Sequence, residues 1–276
     1  MRTGYAVMQH PSGVIEPAHI AGQRGFTLVE LVAVMVILSI IAAIGVGFVV
    51  RATESYQSTQ TRALLVNTAR QSIERMTRQL RGALPHSVRT TNAGQCLQFM
   101  PIAAGGNYFT PVPLLQNDGQ NGSATIPASP VAVDFGTARH VAIGAMSNGE
   151  IYGASPVSLA GYVNYVNGSL QLSAPKQWQR NSISKRFYLL DNAQAFCLVG
   201  NELRFYSGIE PQEDGVNLSS GFDILARGVA VVDGTDPFVL ASGAENRNAL
   251  VTITLDYSKG GETINYTQRV FIRNVP

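Results

Sequence analysis

From Leu31 to Val50 the chain has no charged side chain and one hydroxyl, Ser39. About twenty helical residues at about 1.5 Å each span about 30 Å, the thickness of a bilayer's hydrocarbon core, so this run predicts a membrane-crossing helix. The residues before it, 1–25, are polar and interrupted by Pro11, Pro17 and several glycines. Glu30 stands at the entrance of the span. A lone carboxylate beside an apolar helix is costly unless a cation meets it, which marks Glu30 as a candidate functional group. Late in the span Gly45 and Gly47 each cost about 1 kcal/mol of helix relative to alanine.

After Arg51 the pattern changes from wholly apolar to one-sided. Leu65, Ala69, Ile73, Met76, Leu80 and Leu84 recur at four- and three-residue steps, one face of an α-helix. The helix is therefore expected to run on to about Leu84, where Pro85 pushes the preceding residue out of helical backbone. Arg62, Arg70, Arg75, Arg78 and Arg81 fall largely off that face, as a solvated side or as contacts for acidic lipid or a neighbouring protein. Glu74 is spaced to pair with Arg70 or Arg78.

From Val88 the helical period gives way to short alternating or β-branched runs. Cys96–Phe99, Val131–Val133 and His140–Ile143 read as strands, and Pro101–Pro130, rich in Gly, Asn and Pro, as a long irregular loop. Tyr162–Val166 and Ser169–Leu172 flank Asn167-Gly168, a strong hairpin signal. Ala195–Val199 with Leu203–Tyr206 around Gly200-Asn201, and Leu250–Tyr257 with Thr263–Ile272 around Lys259-Gly260-Gly261, predict two more hairpins. Ile224–Val232 supplies another strand, and Cys96 lies in the first strand after the helix. The expected fold class is α+β: a long N-terminal helix, then an antiparallel β-rich domain.

Composition narrows the setting. Of 276 residues only 14% are charged and 27 are glycine, which suits a strand-and-loop domain facing an extracytoplasmic space better than a cytosolic enzyme. The net charge of +2 is too small to argue for nucleic acid, and no basic stripe with interleaved aromatics appears. The basic excess lies in residues 51–82, beside the span. Cys96 and Cys197 are the only thiols. In an exported domain they pair, closing a loop of about 100 residues worth about 4–5 kcal/mol in the chain-entropy model, the alternative being two buried free thiols.

The order of the N-terminal features carries the most information. A secretory signal places its small-residue cleavage site after the apolar core; here Gly25, preceded by Arg24, comes before it. Met8 would serve as well as Met1 for a start. Gly25-Phe26-Thr27-Leu28-Val29-Glu30-Leu31 followed by an unbroken apolar run resembles the class III signal of type IV pilins and of the pseudopilins of type II secretion. That resemblance implies a prepilin peptidase cutting after Gly25 on the cytoplasmic side and N-methylating Phe26. It also implies that Glu30 docks against the methylated amine of a neighbouring subunit, selecting axial register. Arg24 and Arg51 bracket the span, and the leader is the cytoplasmic side. Major pilins commonly carry a proline late in the span; this chain has none there, a departure that favours a minor subunit.

Three patches, RQSIERMTRQLRGALP, FCLVGNELRFYSG and RVFIRNVP, resemble more narrowly the MSHA-type minor pilins of the MshO kind, with PilW and the J-type minor pseudopilins as relatives. The implied division is a leader (1–25), a membrane half of the helix (26–50), an amphipathic half (51–84) and an extracytoplasmic domain (85–276). The implied life is an inner-membrane precursor with a periplasmic domain, then a low-copy filament subunit that primes or caps assembly and supports adhesion. Its expected partners are the prepilin peptidase, other major and minor pilins, the inner membrane and the pilus assembly platform. A secretion pseudopilin and a tip adhesin or DNA receptor are the alternatives.

Catalytic or cofactor chemistry finds little footing. The processed chain would keep only His86 and His140, neither beside a Cys or acid at metal spacing, and no cofactor is expected. There is no GxxxxGK[ST] and no GxGxxG after a strand. Asp214, Asp223, Asp233 and Asp236 are loop acids whose spacing matches no defined calcium loop. Trp178, the only tryptophan, is either core or a surface contact.

Overall fold

The computed structural model describes residues 25–116, 121–131, 137–242 and 249–272. The polar leader up to Arg24 and most of the expected Val131–Val133 strand lie outside the described residues. The chain divides into two units after Ser55.

One helix, α1 (Leu28–Arg81), 54 residues long, contributes to both units. In the first unit it is exposed throughout, as an apolar span that awaits a lipid or protein environment must be. In the second unit it buries Leu65, Ala69, Ser72, Ile73, Met76 and Leu80, the face its periodicity predicts with Ser72 added. It ends at Arg81, three residues short of the expected Leu84. The reason is a competing strand-like bond pattern: Ile102 N–H donates to the Gly82 carbonyl and Leu84 N–H to the Met100 carbonyl, both at 2.9 Å. Leu84 takes the extended backbone that a residue before proline prefers.

Among the described residues fifteen strands follow. β1 (Arg89–Thr91), β2 (Cys96–Phe99), β3 (Ile102–Asn107), β4 (Ser123–Pro127) and β5 (His140–Ala142) come first. β6 (Leu159–Val166), β7 (Ser169–Lys176), β8 (Arg186–Leu190), β9 (Ala193–Val199) and β10 (Glu202–Ile209) continue the chain. β11 (Asp223–Arg227), β12 (Val229–Ala230), β13 (Phe238–Ser242), β14 (Ala249–Lys259) and β15 (Glu262–Ile272) close it. They form three antiparallel sheets. The first has the order β1-β2-β9-β10-β11 and the third β3-β8-β5-β6-β7-β4. In the second, β12 and β13 pair with successive stretches of one side of β14 while β15 pairs along its whole length. The architecture is the α+β class read from the sequence.

The three hairpins form as their turns predict. β6–β7 close on Asn167-Gly168, both with positive φ; β9–β10 on Gly200-Asn201; β14–β15 on Gly260-Gly261.

Three expectations change and one alternative is decided. Cys96 lies in the second strand after the helix, because β1 precedes it. The Pro101–Pro130 tract contains β3 and β4, which pair with β8 and β7. Glycine there serves packing: a Cβ on Gly106 would sit 2.8 Å from the Phe187 ring and 2.9 Å from Ser129 Oγ. The single strand expected over Ile224–Val232 is two, β11 and β12, in different sheets. Gly228 breaks it with φ +70°, and a Cβ there would collide with the Ser258 carbonyl oxygen. Finally, Trp178 is fully buried, so the core reading of that residue holds.

The α1 face packs with Phe99, Phe196 and Phe205 of the first sheet and Val251, Ile253 and Leu255 of the second in one apolar core. Inside it the Ser72 and Tyr257 hydroxyls lie 2.8 Å apart, which satisfies the one polar residue on the buried helix face. Burial pushes the Tyr257 hydroxyl up to about 12, against the pull of the Ser72 hydrogen bond. A second core gathers Leu84, Met100, Tyr152 and Tyr206 around the cysteines; a third fills the last sheet around Trp178 and Phe187.

Cys96 and Cys197 face each other across β2 and β9 and are joined as a disulfide, with Cα atoms 4.1 Å apart and a sequence separation of 101. Replacing both with alanine should cost about 3–5 kcal/mol of unfolding free energy in a denaturant titration of oxidised protein. An unreduced sample should contain no titratable thiol. An unchanged midpoint in the double variant would remove the disulfide from the stabilising interactions.

Candidate functional site

The chemistry-bearing residues at the N-terminus lie just before α1 and on its first turn. Thr27 immediately precedes the helix and caps it. Its carbonyl accepts from the N–H of Glu30 at 3.1 Å and of Leu31 at 3.2 Å, and its hydroxyl oxygen accepts from the Glu30 N–H at 3.3 Å. Thr27 and Glu30 thus occupy the first and last places of a Thr-x-x-Glu capping arrangement, with the carboxylate where the helix dipole favours negative charge. The sequence signal is a hydroxyl residue three places before an acid at the head of an apolar run. Reading Thr27 only as part of a processing signal overlooks it. Phe26, one residue before the cap, is 79% exposed.

Along the span the hydroxyls are satisfied internally. Ser39 Oγ donates to the Met35 carbonyl at 2.7 Å and Thr53 Oγ1 to the Val49 carbonyl at 2.8 Å. That matters in lipid, where an unpaired donor has no water to turn to. Among the described residues, the adjoining chain and the helix's own backbone aside, nothing lies within 4 Å of where a Cβ on Gly25, Gly45 or Gly47 would stand.

In the second unit the helix is tied to the last hairpin by charge. Glu262 accepts from Arg62 Nε at 2.6 Å and from Ser58 Oγ at 2.8 Å, and these hydrogen bonds hold its carboxyl below the usual carboxylate range. Arg75 reaches Asp223 at 3.4 Å and lies 4.9 Å from the centre of the Phe205 ring. The expected pairing of Glu74 with Arg70 or Arg78 is not made within 4.0 Å, and Arg70, Arg78 and Arg81 are exposed.

The remaining candidates do not assemble. His140 is buried, with Nε2 at 2.9 Å from Asn192 Oδ1, whose amide in turn donates to Glu210. His86 lines a separate cleft of about 220 Å³ with Ile183, Arg186 and Tyr188, smaller than the ~300–1,000 Å³ usual for ligand sites. Near it Arg180 holds Glu150 through two hydrogen bonds of 2.7 and 2.8 Å, which keep that carboxyl low despite its partial burial. Asp214, Asp223, Asp233 and Asp236 join no group of three or more potential metal ligands among the described residues.

Thr27→Val, which keeps the shape and removes the acceptor, should weaken the first turn by about 1 kcal/mol. In detergent-solubilised chain this should appear as about five-fold faster amide exchange at Glu30 and Leu31, with Thr27→Ser near the parent. Equal exchange in the valine variant would remove the capping role.

A family model described as the prokaryotic N-terminal methylation motif matches residues 20–46, the stretch that holds Gly25, Phe26, Thr27 and Glu30. No curated protein and no solved structure matches the chain. The methylation motif, together with the apolar helix that carries it, supports a type IV pilin-like protein, a pilin or pseudopilin anchored by a single membrane pass and processed by a prepilin peptidase.

Proposed function

We propose that the chain is a low-copy subunit of an MSHA-type IV pilus, cut between Gly25 and Phe26, N-methylated at Phe26 and docked through Glu30. The observation that carries this reading is the methylation motif seated on the capped head of an apolar helix. The folded chain sets no demand for glycine at position 25, since no described atom would meet a Cβ there; a peptidase subsite supplies that demand instead. Glu30 stays exposed at the membrane entrance, and the amine of a neighbouring Phe26 is the cation that offsets its cost as subunits enter the filament. Arg51, Arg70, Arg78 and Arg81 then lie on exposed helix surface for acidic lipid or adjoining subunits.

The load on the helix supports a priming or capping role. Three sheets and two further cores beyond the one under α1 are more than a repeating shaft subunit requires. The function is assembly, with adhesion exercised by the filament it helps to start, and the leader (1–25), membrane half (26–50), amphipathic half (51–84) and periplasmic domain (85–276) divide the work.

Gly25→Val should leave the precursor uncut in the inner membrane, read as the longer species on immunoblots; mature chain beginning at Phe26 despite the change would reject the processing site. Glu30→Ala should be cut normally yet fall at least tenfold in sheared filaments. Incorporation at the parent level would reject the docking role.

A further inference from the structure

The sheet edges differ sharply in how they are finished. β1 has three residues and β12 two; β13, on the opposite side of β14 from β15, is regular but has only five. β11 meets its neighbour through a register shift. β3 is interrupted by a shift and carries Gly105 and Gly106; β4 is shifted too and ends in Pro127. Short, bulged or proline-containing edges are the ordinary means of preventing strand addition. β15 has none of these features. Its 11 residues contain no Gly or Pro and pair with β14 in unbroken register from Lys259↔Glu262 to Ala249↔Ile272. Among the described residues no other strand pairs with it.

The turn fixes which backbone groups are free. The two-residue loop Gly260-Gly261 makes Lys259↔Glu262 the hydrogen-bonded pair that closes the hairpin, and bonded pairs then alternate with unbonded ones. Glu262, Ile264, Tyr266, Gln268, Val270 and Ile272 therefore spend their N–H and C=O groups on β14. Thr263, Asn265, Thr267, Arg269 and Phe271 direct theirs to the open side, where the Arg269 carbonyl already accepts from Gln268 Nε2 at 2.9 Å. Ile264 and Tyr266 pack against the α1 core but remain only half-buried, so the inner face at this edge is incompletely covered.

We propose that β15 receives an extended strand from a different subunit of the filament, which adds to the second sheet at this edge. The incoming strand would alternate apolar side chains toward Ile264 and Tyr266 with polar ones toward Thr263, Asn265 and Thr267. It would carry an acid beside Arg269, an exposed guanidinium with no ion pair among the described residues. A second copy of this chain is the poorer occupant. β15 pairing with itself about a two-fold axis makes a closed pair, which consumes the edge and cannot be propagated along a filament. This inference rests on the pilin reading.

The experiment compares Thr267→Pro with Thr267→Ala in full-length chain expressed in cells that lack the parent copy. Proline at 267 removes an N–H that β14 does not use, a position where sheet edges tolerate it. Thr267→Pro should be cut before Phe26 and keep an oxidised disulfide and protease resistance, yet fall at least tenfold in sheared filaments; Thr267→Ala should match the parent. Arg269→Glu should fall several-fold. In the parent chain, the amides of Thr263, Asn265, Thr267, Arg269 and Phe271 should exchange at least a hundredfold more slowly in filaments than in detergent. This measurement stands even where the proline variant misfolds. Parent-level incorporation of Thr267→Pro in a folded state, or equal exchange in both settings, overturns strand addition and leaves the pilin reading intact. A solubilised dimer that Thr267→Pro abolishes would put a second copy at the edge and overturn the proposed occupant. Parent chain that is uncut or absent from filaments overturns both.

Discussion

Everything in this chain depends on one demand placed on α1: its polar groups must be satisfied where no solvent will do it. In a bilayer an unpaired N–H or hydroxyl costs several kcal/mol. The span meets that demand locally, with the Thr27 cap at its head and the Ser39 and Thr53 hydroxyls returned to carbonyls one turn back. Further along, the helix meets it with the domain. Ser72 reaches Tyr257 within the core, and Ser58 and Arg62 converge on Glu262 at the tip of the last hairpin. One helix therefore reads as two materials, apolar on all sides where lipid is its solvent and apolar on one face where sheets cover it.

The domain solves the complementary problem of building strands around that face without one continuous sheet. Gly228 turns the chain from the first sheet into the second, at a point where the Ser258 N–H donates to its carbonyl at 2.7 Å. The Cys96–Cys197 disulfide then joins β2 to β9 at the first sheet's centre, and all six strands of the third sheet lie between the two cysteines in sequence. The third sheet is thus an insertion whose two ends are held by the first. This arrangement explains how so long a segment can be carried without disturbing the sheets that contact α1.

What the sequence made legible was local chemistry. The helix face is set by side chains three and four apart, and each of the three hairpins by a two-residue turn, so both can be read from a short window. The class III motif is contiguous for the same reason. What was illegible depends on distant partners. β3 and β4 look like loop because their glycines and prolines are suited to β8, β7 and Phe187, which lie far away in sequence. β8 and β13 are flanked by turn formers, Asp191-Asn192 after the one and Asp233-Gly234 and Asp236-Pro237 before the other, but neither lies in a two-residue hairpin that would name its partner. The helix ends at Arg81 rather than Leu84 because Met100 and Ile102 compete for its last backbone groups, and no periodicity of α1 contains that information. Thr27 was a different case: its capping signal was present in the sequence, but the processing motif already accounted for the residue.

The glycines separate the demands of folding from those of encounter. Gly106 and Gly228 are required by their own neighbours, since a methyl group at either would collide with atoms already in place. Gly25, Gly45 and Gly47 have no described neighbour within 4 Å of such a methyl, and the last two weaken an exposed helix by about 1 kcal/mol each relative to alanine. A glycine that serves no packing among the described residues leaves room for something outside them, and under the proposed processing that is the peptidase at Gly25. The same reasoning applies to β15: an edge left long, regular and unprotected is a liability for an isolated domain and an asset only for one that is built to be joined.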